Sequence, residues 1–236
     1  MFNEKITQNL SKSSFIRAMF EEGNRLKAIY GEENVFDFSI GNPEMEPPVE
    51  VKECLKKIAC SEEEGMHKYM SNAGYDATRR TVSCSIKKDY GYDVPYNHII
   101  MSAGASAGLF VTLKSVVNPD DEVIVFKPYF AEYGFSVMHA QGILKEADCD
   151  EDFLPDVNSF KKVITAKTKA VILNTPNNPS GAVYQKEVLL KISDAIRDAE
   201  IIFNTNIFVI SDEPYVKIVY DDITVPCVFE CFDKAI

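Results

Sequence analysis

The sequence has few of the features that mark nucleic-acid-binding, metal-binding and membrane proteins. Its 36 acidic residues outnumber its 25 basic residues, which gives a formal net charge of −11 at pH 7. That balance argues against nucleic acid as a partner, because binding along a phosphate backbone requires clustered Lys and Arg. The three histidines lack the spacing of metal ligands, so we predict no metal site. No apolar run approaches the length that crosses a bilayer, and we predict no membrane partner.

The cysteines and the first residues of the chain also argue against a secreted protein. The six cysteines contain no CxxC pair and are too sparse for a disulfide-stabilised scaffold. The N-terminal residues are polar and lack the apolar segment of a secretory signal peptide. We therefore expect reduced thiols in a cytoplasmic protein. With 236 residues, of which 46% are hydrophobic, the chain can nevertheless bury a substantial core.

The first part of the chain predicts three helices. Helical spacing of apolar residues predicts a first helix that begins at Ser13 or Ser14 and ends near Gly31. A short amphipathic helix is predicted after Pro48, and a longer one from about Asp76 to Tyr90.

From His98 onward, strands and helices alternate. Short apolar runs predict strands at residues 99–101, 123–126, 143–145, 170–173 and 207–210. Helical patterns run through residue 116 and over about 156–164 and 186–199. Continuously apolar strands separated by helices indicate a buried parallel sheet with helices on both faces. We therefore predict an α/β fold in which a ligand binds at the carboxyl ends of the strands.

Two segments that follow predicted strands could hold a phosphate and a planar ring. Residues 102–108 are almost all small and lead into a helix whose N-terminus could bind an anion, although close helix–strand packing explains them equally well. They lack the spacing of a dinucleotide-binding glycine motif. The segment 126–133 carries aromatic residues that could stack on a ligand, although by themselves they more simply cap the core.

Two further segments place polar side chains after buried strands. Residues 174–181 contain three Asn, two Pro and a Gly, so a rigid backbone could direct amides at a ligand, although such a segment is commonly only a turn. Asp212 follows an apolar strand, where a carboxylate is costly to bury without a cation or donors. With Tyr215 it would suit a protonated ring nitrogen and a nearby phenolic oxygen. The alternative is an Asp that caps a neighbouring helix.

In this order, the four segments resemble the cofactor-binding motifs of the class I and II (fold type I) aminotransferases, which use pyridoxal 5'-phosphate. The motifs are SAGAS at 102–106, KPYFAEY at 127–133, NTPNNPSGAVY at 174–184 and SDEPY at 211–215. Upstream, SIGNPEMEPP at 39–48 resembles the family's substrate-side glycine loop, and HKYMSNAGY at 67–75 resembles the segment that opens its large domain. The resemblance covers essentially the whole chain. It implies that residues 1–48 contribute to the small domain and residues 49–236 form the cofactor-binding large domain.

The resemblance implies how the cofactor would be held. The backbone of Ala105 and Ser106 would bind the phosphate, and Gly104 would allow its approach. Phe130 would stack on the pyridine ring.

The remaining implied roles concern the ring atoms, a second subunit and the substrate. Asn178 and Tyr215 would hydrogen-bond the ring's 3-oxygen, and Asp212 would form a salt bridge with the ring nitrogen and keep it protonated. Tyr69 would reach the phosphate bound by a neighbouring subunit, so a homodimer is expected for the full-length protein. Gly41 would lie near the substrate carboxylate.

The family also requires a lysine that forms a Schiff base with the cofactor, in a Ser-rich segment after SDEPY, and an arginine for the substrate carboxylate. Lys217 lies too close to Tyr215 and is expected in an extension of the same strand, and Lys234 has no Ser-x-Ser before it. The residues 233–236 resemble the start of a further strand. We therefore expect an N-terminal part of the enzyme, with an incomplete sheet and without activity of its own.

The implied reaction transfers an amino group between an amino acid and a 2-keto acid. Two other interpretations remain open. One is a lyase, decarboxylase or racemase of the same fold, because such enzymes share the cofactor motifs. The other is a non-catalytic remnant that lacks the lysine.

Overall fold

The computed structural model describes residues 18–38, 41 and 45–236, which divide into two compact units, Met1–Lys68 and Tyr69–Ile236. In the first unit, helix α1 covers residues 18–30, and a short 3-10 helix, Glu32–Asn34, follows it. Gly31 ends α1 with a φ of 86°. The predicted end near Gly31 is confirmed, whereas the predicted start lies outside the described residues.

Helix α2, Val49–Ala59, completes the first unit and confirms the helix predicted after Pro48. It buries none of its residues, and the apolar side chains of Val51, Leu55 and Ile58 are exposed. The domain boundary between residues 48 and 49 remains a prediction.

The second unit is built on four parallel strands in the order β2-β1-β3-β4. The strands are β1 Glu122–Lys127, β2 Ile143–Asp148, β3 Thr168–Asn174 and β4 Phe208–Asp212. In the pairing of β3 with β4, Ala170 lies opposite Phe208 and Asn174 lies opposite Asp212. The carboxyl ends of these two strands are therefore level, which brings Asn174 and Asp212 side by side.

Helices cover both faces of the sheet, as predicted. The helices of the second unit are α3 Asp76–Tyr90, α4 Ala105–Val116, α5 Glu132–His139, α6 Val157–Val163 and α7 Lys186–Phe203, with 3-10 turns at Tyr96–His98 and Val228–Glu230. Alternate residues of a strand face opposite sides. Ile124 therefore packs in one apolar cluster with residues of α6 and α7, and Val123 packs in the other with residues of α4 and α5.

Most predicted elements agree with the structure to within a few residues. The strands predicted at 123–126, 143–145, 170–173 and 207–210 are confirmed. Helix α3 spans the predicted residues and ends at Gly91, whose φ of 72° is the left-handed conformation that suits glycine at a helix end.

One predicted strand is absent from the structure, and one helix was missed. Residues 99–101 were predicted as a strand, but they form none, and Ile100 is exposed. Within the described part of the chain no strand lies beside them; Met101 N–H instead donates to the Ala73 carbonyl at 3.0 Å. Helix α5 was not predicted, because glycine and aromatic residues within it have modest helix propensity. Burial of Tyr133 and Val137 stabilises it instead.

The residues 234–236 pair with β4 in parallel. Val209 N–H donates to the Lys234 carbonyl at 2.9 Å, and Ile236 N–H donates to the Val209 carbonyl at 2.8 Å. Ala235 thus forms an isolated bridge with Val209 and not a strand, so the expectation that 233–236 begin a further strand stays a prediction.

Candidate functional site

A cavity of about 210 Å³ lies at the carboxyl ends of β1, β3 and β4. Six of the residues predicted to bind a cofactor line it: Ala105, Ser106, Phe130, Asn178, Asp212 and Tyr215. These residues come from four separate segments of the chain. The parallel sheet brings them together because each segment follows a strand or begins a helix at the same edge.

The N-terminus of α4 forms one wall of this cavity. Ala105 and Ser106 occupy the first turn of the helix, and Gly104 precedes it with a φ of 86°. No side chain caps this end of α4, so N–H groups of its first turn remain free of an intrahelical acceptor. Together with the helix dipole they favour a bound anion. A side chain at Gly104 would strain the backbone, since positive φ favours glycine.

Phe130 and Tyr133 form an aromatic wall after β1. The Phe130 ring is half-buried and meets the Tyr133 ring edge-on, with 5.6 Å between the centroids and 87° between the planes. A half-buried ring at a cavity wall offers a face for a flat ligand.

The carboxylate of Asp212 reaches the cavity from the last residue of β4. Its Oδ2 accepts a 2.6 Å hydrogen bond from the Tyr133 hydroxyl. Burial, followed by this carboxylate, raises the pKa of Tyr133 far above its usual range, so the hydroxyl is a donor at all ordinary pH values. No Lys, Arg or His occurs among the described residues that line the cavity. The negative charge of Asp212 is thus directed at a space in which a cation would be stabilised.

The three asparagines at the end of β3 and in the turn after it make different contacts. Asn178 points its amide at the cavity, where Nδ2 donates to the Tyr215 hydroxyl at 3.3 Å. Asn174 is buried: its Nδ2 donates to the Asp212 carbonyl at 2.8 Å, and its Oδ1 accepts from the Asn178 N–H at 2.6 Å. Asn177 accepts from Ser180 N–H and Oγ and so closes the turn. Of the three, Asn178 directs its amide at the cavity as expected, and the hydrogen bond from its N–H to Asn174 Oδ1 fixes its backbone.

Three predicted residues lie outside the lining of the cavity. Gly104 sits behind the first turn of α4, and the Tyr69 side chain is fully exposed. Gly41 belongs to the first unit, and a Cβ placed there would meet nothing within 4 Å. The roles of all three remain predictions.

The structure adds residues that the sequence did not single out: Leu109, Glu132, Tyr133, Ser136, Asn174 and Pro214. For Tyr133 and Asn174 the available signal was their place within the KPYFAEY and NTPNNPSGAVY motifs. Neither residue type indicated by itself which atom it would contact.

The two lysines near the SDEPY motif lie away from the cavity. Lys217 Nζ is 2.8 Å from Asp89 Oδ2, and Lys234 Nζ is 2.7 Å from Glu200 Oε1. The expectation that Lys217 extends the strand is wrong: β4 ends at Asp212, and residues 214–217 form a turn.

A larger cavity of about 650 Å³ lies between the end of α3, the start of α7 and residues 216–227. Its two lysines are already paired, Lys186 with Glu230 at 2.6 Å and Lys217 with Asp89. The larger cavity contains none of the strand-end groups, so the smaller cavity is the stronger candidate for a catalytic site.

Within residues 18–38, 41 and 45–236, none of the helices has the length and hydrophobicity of a membrane-spanning segment. The same residues contain no cluster of three or more His, Cys, Asp or Glu that could hold a metal ion.

Comparisons with known proteins identify relatives over most of the chain. The sequence profile of the family described as aminotransferase class I and II matches residues 33–230. An aspartate aminotransferase of Pyrococcus horikoshii is 34% identical over 215 residues, which are 90% of this chain and 51% of that protein. An aspartate/prephenate aminotransferase of Thermus thermophilus is 32% identical over 77% of this chain and 45% of that protein. The chain thus spans about half the length of the curated relatives it matches.

The solved structures that are similar to this chain are also aminotransferases. The crystal structure of an aminotransferase from Eubacterium rectale superposes with a TM-score of 0.94 and 37% sequence identity, and the alignment covers 100% of this chain and 60% of that one. A Thermus thermophilus aspartate aminotransferase with maleate superposes with a TM-score of 0.80 and 27% identity, over 93% of this chain and 55% of that one.

Proposed function

The chain belongs to the class I and II aminotransferase family, and we propose that it supplies most of the pyridoxal 5'-phosphate site of an enzyme that transfers an amino group between an amino acid and a 2-keto acid. One observation carries the proposal. The cavity at the strand ends combines a helix N-terminus that can bind an anion, an aromatic face and the carboxylate of Asp212, and none of its described lining residues is cationic.

The residues present fit this cofactor group by group. The free N–H groups at Ala105 and Ser106 suit a phosphate, because they point their donors and the helix dipole at the same anion. Phe130 would cover the ring. The Asp212 carboxylate complements a protonated ring nitrogen, which would supply the positive charge that the described lining residues do not. Asn178 Nδ2 and the Tyr215 hydroxyl, 3.3 Å apart, would meet the ring's oxygen substituent.

These residues would act by binding and by holding a proton. The bound cofactor supplies a ring that withdraws electrons from the amino acid substrate. Asp212 would hold a proton on the ring nitrogen by charge, which strengthens that electron withdrawal. Tyr215 and Asn178 would stabilise negative charge on the ring oxygen. Phe130 would exclude water from one face.

Two residues extend the proposal beyond the cavity. The exposed side chain of Tyr69 would reach the phosphate bound by a second copy of the chain, so the proposed assembly is a homodimer. Gly41 would lie near the substrate carboxylate. The six cysteines are all free thiols, which suits the proposed location in the cytoplasm.

The proposal is tested by titrating the purified protein with pyridoxal 5'-phosphate and following the cofactor's absorbance and the quenching of tyrosine fluorescence. We expect saturable binding, weakened about 100-fold by Asp212→Ala, since loss of a hydrogen-bonded charge pair costs about 2.7 kcal/mol. Asp194→Ala is the control, because that aspartate is exposed and pairs only with Arg197 within the described residues. Equal binding by the Asp212 variant and the wild type would remove Asp212 from its role.

A further inference from the structure

Tyr133 contacts Asp212 from the buried side of the candidate site. The residue is 1% exposed, and its hydroxyl donates the 2.6 Å hydrogen bond to Asp212 Oδ2. We propose that Tyr133 is a positioning residue that holds the Asp212 carboxylate oriented toward the ring nitrogen of the cofactor. The inference rests on the proposed function and adds to it a role for Tyr133, whose contact with Asp212 the motif alone did not indicate.

The surroundings of Tyr133 leave its ring little freedom. Its edge contact with Phe130 and its backbone N–H, which donates to the Phe130 carbonyl at 3.0 Å, fix it from the strand side. Val137, one turn further along α5, is buried beside it in the same apolar cluster. The same side chain therefore orders both the aromatic wall and the carboxylate of the site.

Asp212 is held at two points. Asn174, which is 4% exposed, binds the Asp212 backbone carbonyl through Nδ2. This contact fixes the main chain but leaves the side chain free to rotate. Among the described residues, Tyr133 alone donates a hydrogen bond to the carboxylate oxygens, so the orientation of the charged group depends on this hydroxyl.

A hydroxyl suits this task better than a cationic side chain. An O–H donor stabilises the charged form of a carboxylate without adding positive charge. A Lys or Arg in its place would neutralise Asp212 and weaken its attraction for a cationic ligand. Because burial and the Asp212 contact raise the pKa of Tyr133, the hydroxyl keeps its proton and remains a donor.

The first test uses the cofactor-free protein. Tyr133→Phe removes only the hydroxyl, and we expect it to lower the melting temperature in the wild-type background. In an Asp212→Ala background the same substitution should leave the melting temperature unchanged or raise it, because the buried hydroxyl would have lost its acceptor. An equal decrease in both backgrounds would show that the two residues are not coupled and would overturn the proposal.

The second test measures the pyridoxal 5'-phosphate affinity of the same protein as a function of pH. Tyr133→Phe should bind about tenfold more weakly at each pH, because the carboxylate has lost the donor that orients it. The matched control is Tyr129→Phe, which removes a hydroxyl that donates to Glu146 at 2.7 Å outside the cavity. It should bind as the wild type does at every pH.

The outcomes separate the two proposals. If Tyr133→Phe follows the wild type at every pH, or if Tyr129→Phe shows the same loss, the positioning role is overturned. If the wild type does not bind the cofactor at all, the proposed function fails, and with it the role of Tyr133 toward the cofactor. The coupling in the cofactor-free protein would still report whether the hydroxyl holds Asp212.

Discussion

Two carboxylates at opposite ends of the parallel sheet are partnered in different ways. Glu122, the first residue of β1, is buried, and Lys145 Nζ lies 3.3 Å from its Oε1. The Thr165 hydroxyl donates to its Oε2 at 2.5 Å. Asp212, the last residue of β4, accepts from the neutral hydroxyl of Tyr133 and has no ion-pair partner within the part of the chain that the structure describes.

The difference separates an acid whose charge is balanced within the fold from one that we propose acts on a ligand. The charge of Glu122 is balanced by Lys145, which offsets the cost of burying the carboxylate. The charge of Asp212 is oriented by Tyr133 but is not balanced by a cation among the described residues. A cationic ligand would therefore be attracted strongly, because water screens the charge less at a partly buried site. The carboxyl edge of the sheet is therefore the end at which we place the cofactor.

The largest effect that should separate the two acids is stabilisation by the cofactor. Pyridoxal 5'-phosphate at about 100 times its Kd should raise the free energy of unfolding by about 2.7 kcal/mol, by mass action. Glu122→Gln should keep this increment, whereas Asp212→Ala should lose most of it at the same cofactor concentration. Chemical denaturation with and without the cofactor measures both. The comparison fails if Glu122→Gln loses the increment and Asp212→Ala keeps it.

A smaller effect is expected in the absence of the cofactor. Glu122→Gln should lower the free energy of unfolding by about 2 kcal/mol, because Lys145 and Thr165 lose a charged partner. Asp212→Asn should cost less than about 1 kcal/mol, since the amide oxygen can still accept from Tyr133. Urea denaturation measures the two values, and a larger loss at Asp212 would mean that its charge is structural.

The smallest effect concerns a third carboxylate, Glu213, which has only neutral donors in the described structure: Ser211 Oγ at 2.7 Å and the Tyr90 hydroxyl at 3.3 Å. Burial raises the pKa of Glu213, and the two donors oppose that rise. The folded state thus holds this proton more tightly than the unfolded state does. The resulting contribution to stability is complete below the ordinary pKa of a glutamate and is lost as the pH rises through the raised pKa.

Glu213→Gln should remove this contribution. The variant's melting temperature should therefore fall less than that of the wild type as the pH rises above the ordinary range of a glutamate carboxyl. A series of thermal melts across that range checks the slope. Parallel curves for the two proteins would show that Glu213 titrates as an ordinary exposed carboxyl.

The strands that carry the site were predictable because a parallel sheet covered on both faces requires continuous apolar runs. The run at 123–126 therefore placed Phe130 shortly after one strand, and the run at 207–210 placed Asp212 near the end of another. The segment 99–101 was equally apolar but forms no strand, because pairing depends on a neighbouring backbone and not on composition. The turn at 214–217, which carries Lys217 away from β4, gave no signal in the residue pattern.

The order of residues along the chain was enough to determine the α/β class, the family and the motif positions, because these follow from local hydrophobicity and residue type. It could not assign partners to individual atoms. Three neighbouring asparagines look alike in the sequence, yet the fold buries Asn174 and Asn177, lines the cavity with Asn174 and Asn178, and uses Asn177 to close the turn.

Tyr133 shows the same limit most clearly. Its hydroxyl meets a carboxylate 79 residues away in the chain. That meeting depends on how α5 packs against the sheet and on the level at which β4 ends. Asp212 was therefore recognisable as a charge at a strand end, but whether a cation or a neutral donor would hold it was settled by packing, because hydrogen-bond partners are chosen by distance in space.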